Sequence, residues 1–204
     1  MGVFAHWPNR ITAIRFVGAL VLFANMRLFS DRTPENIHES RSLVLIAFWL
    51  FVFVASTDFL DGYLARKGNL VSVFGRIADP FVDKVLILGT MIFLAVAPWS
   101  RPWMPAWMVV VILAREFLVT GLRGFIESEG GAFPADGFGK IKMIAQCLAV
   151  GSILWMQAYS WPAAWLEFWA SLAHGLVWVT LLATLGSGIS YVMKTRLTLS
   201  EAKS

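Results

Sequence analysis

Hydrophobic residues fall into six long runs along the chain, and short polar stretches separate them. Each run holds about 20 residues or more, which is the length an α-helix needs to cross the hydrocarbon core of a bilayer. The predicted helices cover residues 11–29, 42–66, 70–98, 102–123, 139–159 and 165–193. The pattern therefore predicts an all-α integral membrane protein with six transmembrane helices in one bundle.

Basic residues are unevenly distributed between the two sides of this bundle. One side holds the set Arg10, Arg66, Lys67, Arg123, Lys140, Lys142, Lys194, Arg196 and Lys203. The other side carries fewer basic residues but more tryptophans, namely Trp99, Trp103, Trp161 and Trp165. Cytoplasmic loops are enriched in lysine and arginine, and tryptophans gather at membrane interfaces. We therefore expect both termini in the cytoplasm and an interfacial tryptophan belt on the far side.

Composition agrees with a membrane protein. Hydrophobic residues make up 58% of the 204 residues, charged residues only 15%, and the mean hydropathy is +0.68. A soluble domain of this length would be more polar. The net charge of +4 is spread over loop ends, so no nucleic-acid partner is expected. Cys147 is the single cysteine and is expected to pack inside a helix. We expect one membrane-embedded domain over residues 1–204.

Four aspartates interrupt the second and third apolar runs, where a charge is costly. Asp58 and Asp61 are spaced i, i+3 and Asp79 and Asp83 are spaced i, i+4, so each pair shares one helix face. Asp58 lies roughly 12 Å inward from the cytoplasmic end of its helix at 1.5 Å per residue. Converging carboxylates repel one another unless cations or protons are shared. Hard divalent cations such as Mg²⁺ or Mn²⁺ suit such oxygen ligands, and two ions could be bridged.

The residues between the aspartates point to phosphate chemistry. Gly62, Ala65 and Gly75 remove side-chain bulk where a substrate could approach the backbone. Arg66 supplies a guanidinium suited to a phosphate. Taken singly, the glycines are also typical of helix packing in membranes, and Arg66 of a cytoplasmic anchor. The combination with four acids favours a phosphoryl-transfer site.

The whole pattern, Asp58-x2-Asp61-Gly62-x2-Ala65-Arg66-x8-Gly75-x3-Asp79-x3-Asp83, resembles the signature of the CDP-alcohol phosphatidyltransferase family at every specified position. The resemblance implies a six-helix membrane enzyme, commonly a homodimer. It also implies transfer of a phosphatidyl group from CDP-diacylglycerol, or of a phospho-alcohol from a CDP-alcohol, with release of CMP. Residues 1–204 would then form a single catalytic domain in the bacterial inner membrane, with the active site on the cytoplasmic side.

The resemblance also implies roles for individual residues. Asp58 and Asp79 would bind both of two metal ions, Asp61 one and Asp83 the other. Asp83 would in addition be the general base for the acceptor hydroxyl. The residues expected near CDP-diacylglycerol are Asn9, Thr12, Gly62, Ala65, Arg66, Ser72 and Gly75.

Three further segments bear on the acceptor. Residues 8–15 (PNRITAIR), 115–123 (REFLVTGLR) and 139–146 (GKIKMIAQ) resemble bacterial family members that use sn-glycerol 3-phosphate. A phosphorylated acceptor needs cations, and we expect Arg115, Arg123, Lys140 and Lys142 to supply them. The two lysines fit a positive cytoplasmic loop equally well. Arg115 lies inside a predicted span and should need a buried partner. Its neighbour Glu116 is expected to point elsewhere.

Two alternatives stay open at this stage. Serine, inositol phosphate or an amino alcohol could be the acceptor within the same family. A cation or proton transporter would also place acids inside the membrane. A transporter is disfavoured because the sequence shows no inverted repeat and no pair of proline-broken helices, and because the acids lie toward the cytoplasmic end.

Overall fold

The computed structural model describes the backbone of residues 7–68, 73–128 and 137–201, and the side chains of residues 9–57, 78–128 and 141–195. Within these ranges the chain is helical apart from short connections. The long helices are α1 (Trp7–Arg27), α2 (Arg41–Gly68), α3 (Val73–Val96), α4 (Ala106–Ser128), α5 (Gly137–Ala158) and α6 (Ala163–Glu201). A 3-10 turn, Ile37–Ser40, leads into α2. The all-helical prediction is confirmed over the described residues.

Each long helix overlaps one of the predicted runs, but several ends differ. Residues 97–105 form turns, and α4 begins only after Pro105, whose carbonyl accepts a bond from the Met108 amide at 3.0 Å. The prediction placed the start of α4 at Pro102 because the apolar pattern does not reveal turns. Helix α6 continues to Glu201, past the apolar run that was predicted to end at residue 193. Helical hydrogen bonding continues there because no proline or glycine interrupts it.

The helices form a closed ring around the centre of the molecule. Going around the ring, α1 packs against α2, α2 against α5, α5 against α6, α6 against α4, α4 against α3, and α3 against α1. Helices α3 and α5 also contact each other across the ring. Polar residues on α3, α4 and α5 can therefore meet in the interior, because α3 contacts both of the other two helices.

Glycine permits a close approach of α1 to α3. A Cβ added at Gly89 would lie 2.3 Å from Cζ of Phe23, far inside van der Waals contact. The Phe23 ring in turn stacks on Phe93 at 5.6 Å between centroids. A larger side chain at position 89 would require the Phe23 ring to move from its present position. The same two helices carry the polar contacts of the candidate site.

The outer surface is apolar on all six helices. Exposed side chains on successive helices include Ile14, Phe53, Ile92, Val110, Leu148 and Leu182. Within the part of the chain whose side chains are described, three segments are long and apolar enough to cross a membrane: Ile37–Thr57, Ile141–Ala158 and Ala163–Thr195. Helices α3 and α4 carry charged residues of the interior site within their apolar stretches, among them Asp83, Lys84 and Glu116. Such a surface belongs in lipid, and the chain is a multi-pass membrane protein.

The interfacial tryptophan belt is only partly as predicted. Trp165 is 55% exposed, as a side chain at the lipid interface would be. Trp99 is fully buried and packs against Phe29, with 6.0 Å between the ring centroids. The prediction for Trp99 was wrong because the turn after α3 buries this side chain against Phe29, just beyond the end of α1. Cys147 lies half-buried within α5, as expected.

Candidate active site

Helix α1 presents a buried polar stripe to the aspartates of α3. Asn9, Thr12 and Arg15 are spaced three residues apart and are no more than 4% exposed. The Thr12 hydroxyl donates a hydrogen bond to Oδ1 of Asp79, and the Arg15 guanidinium donates one to Oδ1 of Asp83. Because both residue numbers increase together, α1 and α3 run parallel at this contact. Thr12, which was predicted near the donor, thus contacts one of the signature aspartates.

The two α3 aspartates have the chemistry that a hard divalent cation requires. They lie one helical turn apart at i, i+4 and are both contacted from α1. Each contact engages Oδ1, and a carboxylate can give its second oxygen to a metal. A ligating carboxylate that also receives a hydrogen bond from the protein is a common feature of metal sites. Asp79 and Asp83 therefore fit the predicted metal ions.

Much of the predicted site lies outside the described side chains. This applies to Asp58, Asp61, Gly62, Ala65, Arg66, Gly75 and Lys140, and Ser72 lies outside the described backbone as well. Helix α2 is nevertheless continuous to Gly68, so its two aspartates are on helical backbone, as the i, i+3 prediction assumed. Their convergence with α3 stays a prediction.

A second buried cluster surrounds Glu116 on α4. Its Oε1 accepts hydrogen bonds from Arg115, at 2.9 Å, and from Lys142 of α5. Lys84 of α3 lies 3.9 Å from Oε2 and donates to the Thr120 hydroxyl. Glu116, Arg115 and Lys142 are all at least nine-tenths buried. Removing one member of such a buried pair typically costs about 3–5 kcal/mol, so the cluster helps hold α3, α4 and α5 in place.

Arg115 has buried partners, as its position required. Besides Glu116 it donates to the Ser187 hydroxyl on α6, and its guanidinium lies 5.5 Å from the centroid of the Tyr191 ring. Gly188 makes room for its stem, since a Cβ there would be 3.2 Å from Cγ of Arg115. The expectation that Glu116 points elsewhere was wrong. The side chains of adjacent residues leave a helix in different directions, but the ends of two long side chains can still come into contact.

A cavity of about 180 Å³ joins the two polar groups. Its polar lining consists of Asp83, Lys84, Glu116, Lys142 and Gln146. At about 30 Å³ per water the volume equals that of roughly six waters, which suits a small, charged molecule. Asp83 faces this cavity as well as the α1 stripe. A reactant held here would be in contact with a predicted metal ligand.

The four basic residues predicted for the acceptor do not all lie together. Lys142 lines the cavity and is buried in α5, so a positive-loop role does not describe it. Arg115 does not line the cavity but contacts Glu116, which does. Arg123 instead donates to the Tyr191 hydroxyl of α6 at 2.8 Å and is not part of the cavity lining. The fourth, Lys140, is the one outside the described side chains.

Sequence reasoning missed several polar residues of the site. Arg15, Lys84, Glu116, Thr120, Gln146, Ser187 and Tyr191 all take part in the contacts above or line the cavity. Arg15 and Lys84 carried a usable signal, since a charge inside a predicted span needs a partner. The hydroxyl and amide residues carried none, because such side chains are common in membrane helices.

The fold and site define a polytopic helical membrane protein with a buried, charged interior suited to phosphate chemistry. Comparison with known proteins gives the family. The CDP-alcohol phosphatidyltransferase family model matches residues 5–185. The chain belongs to the CDP-alcohol phosphatidyltransferase family.

Similar curated proteins are close in both length and sequence. A Bacillus subtilis protein is 41% identical over 92% of this chain and 93% of its own. A Rickettsia bellii protein is 36% identical over 94% and 96% of the two chains, and one from Treponema pallidum 33% identical over 89% and 85%. Each is named CDP-diacylglycerol–glycerol-3-phosphate 3-phosphatidyltransferase. This family membership disfavours the transporter interpretation.

Proposed function

We propose that the protein transfers the phosphatidyl group of CDP-diacylglycerol to sn-glycerol 3-phosphate, giving phosphatidylglycerophosphate and CMP. The observation that carries this proposal is the 41% identity, over nearly the full length of both chains, to the Bacillus subtilis enzyme named for that reaction. The buried cations beside Asp83 supply what a phosphorylated acceptor needs. An amino alcohol would leave these cations without an anion, and serine would offer them one carboxylate charge in place of a phosphate.

On the donor side, Asp79 and Asp83, with Asp58 and Asp61 of α2, would bind two Mg²⁺ or Mn²⁺ ions. Bound there, such ions would neutralise the negative charge of the diphosphate as CMP leaves. Thr12 and Arg15 orient the α3 carboxylates through their hydrogen bonds. Asn9, Gly62, Ala65, Arg66, Ser72 and Gly75 would contact the CDP-diacylglycerol.

On the acceptor side, Lys142 and Lys84 would hold the phosphate of glycerol 3-phosphate in the 180 Å³ cavity. Arg115, and Lys140 at the start of α5, would add positive potential. Asp83 lines the same cavity and would accept the proton of the attacking hydroxyl. Arg123, the remaining predicted contact, does not line this cavity, so its contribution to acceptor binding would be small.

All six long helices would span the bacterial inner membrane, with both termini and the active site in the cytoplasm. Apolar side chains exposed on every helix and the basic residues of alternate loops support this topology. A homodimer is proposed on the family resemblance. We expect a cysteine at position 67, introduced after Cys147 is replaced, to react only with reagents that enter intact cells. Labelling of position 67 by an impermeant reagent would contradict the topology.

The reaction itself is tested by measuring CMP release from CDP-diacylglycerol by the purified full-length protein. We expect release that depends on a divalent cation and on glycerol 3-phosphate, with the label of a tagged lipid donor recovered in a phosphorylated lipid. Serine, inositol phosphate and an amino alcohol supplied in turn serve as competing acceptors. Preferred use of one of these compounds would show that it, and not glycerol 3-phosphate, is the acceptor of an enzyme in the same family. No CMP release with any acceptor would overturn the proposal.

A further inference from the structure

Glu116 is a buried anion that shares its partners with the cavity. Its carboxylate is 8% exposed and meets Arg115 on its own helix, Lys84 from α3 and Lys142 from α5. Lys84 and Lys142 also line the 180 Å³ cavity, as Glu116 itself does. An anion that enters the cavity must therefore share these lysines with Glu116.

The charges of this cluster are not balanced among the described side chains. Three cations face one carboxylate, which leaves two positive charges in excess. Asp83 does not compensate them, because it is paired with Arg15. A phosphate monoester with two negative charges would balance the excess. A site with three uncompensated cations would bind the same phosphate more tightly.

Tighter binding would not help turnover. The product of the proposed reaction keeps the phosphate monoester of the acceptor, so a residue that strengthens phosphate binding also slows release of the product. A carboxylate beside the phosphate weakens both interactions, because like charges at close range repel.

We propose that Glu116 acts as a built-in competitor of the acceptor phosphate: it holds the lysines in the absence of acceptor and limits how tightly they bind phosphate afterwards. Glu116 is thus a residue that sets the affinity of the site for acceptor and product. This inference rests on the proposed function of the cavity. A purely structural Glu116 would have the opposite kinetic effect, since loss of the lysine anchor would weaken acceptor binding.

The experiment compares wild type, Glu116→Gln, Glu116→Asp and the control Glu127→Gln in the CMP-release assay with full-length protein. Glu127 is an exposed carboxylate on the same helix. For Glu116→Gln we expect the KM for glycerol 3-phosphate to fall by about tenfold, with kcat reduced and the KM for CDP-diacylglycerol little changed. Glu127→Gln should stay within about threefold of wild type, and Glu116→Asp, which keeps the charge, should show a smaller fall in KM than Glu116→Gln. An unchanged or raised KM for glycerol 3-phosphate in Glu116→Gln would overturn the inference.

A binding measurement gives the same test without turnover. Inorganic phosphate should raise the melting temperature of Glu116→Gln by more than it raises that of wild type, since phosphate replaces the missing anion. An equal or smaller rise counts against the proposal. Wild type that ignores glycerol 3-phosphate in the kinetic assay would refute the proposed function instead, so the two failures are distinguishable.

Glu116→Gln leaves buried cations unpaired and could fail to fold, so a second variant is included. Glu116→Gln combined with Lys84→Gln removes one charge of each sign and restores the original excess. If Glu116 competes with the acceptor, this double variant should have a KM for glycerol 3-phosphate no higher than that of wild type. If Glu116 only anchors the lysines, the KM should rise tenfold or more, which would overturn the proposal.

Discussion

Asp79→Asn is expected to reduce turnover by roughly three orders of magnitude or more while the protein stays folded. The substitution keeps the oxygen that accepts the Thr12 hydrogen bond but removes the charge needed for a metal ligand. Loss of metal-assisted charge stabilisation costs several kcal/mol, and each 1.4 kcal/mol is about tenfold in rate. The measurement is metal-dependent CMP release, with folding checked by thermal melting.

Asp31→Asn is the matched control for this variant. Asp31 is an exposed carboxylate after the end of α1, 2.6 Å from Arg27 and away from the site. The Asp31→Asn variant should have the same turnover as wild type. Asp83→Asn should also be inactive, but it removes the charge that pairs with the buried Arg15 and is expected to melt at a lower temperature. Near-normal, metal-dependent turnover in Asp79→Asn would be incompatible with a metal site on α3.

Lys142→Gln should raise the KM for glycerol 3-phosphate about ten- to a hundredfold, with a much smaller effect on the KM for CDP-diacylglycerol. The reason is that Lys142 lines the cavity, and a lost charge-assisted contact typically costs about 1.5–3 kcal/mol. Glu116 keeps Arg115 and Lys84 as partners in this variant, so the fold is expected to persist. Steady-state kinetics with each substrate varied in turn gives both constants.

Arg123→Gln is the comparison that tests the location of the acceptor. Arg123 contacts Tyr191 on α6 rather than the cavity, so its loss should change the KM for glycerol 3-phosphate by less than about threefold. A large effect for Arg123→Gln together with none for Lys142→Gln would move the acceptor phosphate to the α4–α6 side. The family assignment would stand in either case.

Local patterns in the sequence were enough for the approximate positions of the long helices over the residues that the structure describes. Apolar runs of membrane-spanning length and short polar breaks specify where a helix is stable in lipid, because an unpaired backbone there is too costly. The signature of four aspartates likewise identified the family, since fixed spacings on a helix are local information. The ends of α4 and α6 were missed, because turn geometry and helix extension into water leave little trace in hydropathy.

Contacts between distant helices could not be read in this way. The pairing of Arg15 with Asp83 and of Lys142 with Glu116 depends on which helices become neighbours in the ring, and hydropathy does not encode that order. The prediction therefore grouped Arg123 with Lys142 because both are basic and near one membrane side, whereas in the structure Arg123 contacts Tyr191 of α6 and Lys142 contacts Glu116 of α4. Charge and depth in the membrane follow from local sequence. The charged partner of Arg15 or Lys142 depends on helix packing, because the two side chains of each pair belong to different helices and meet only when those helices pack together.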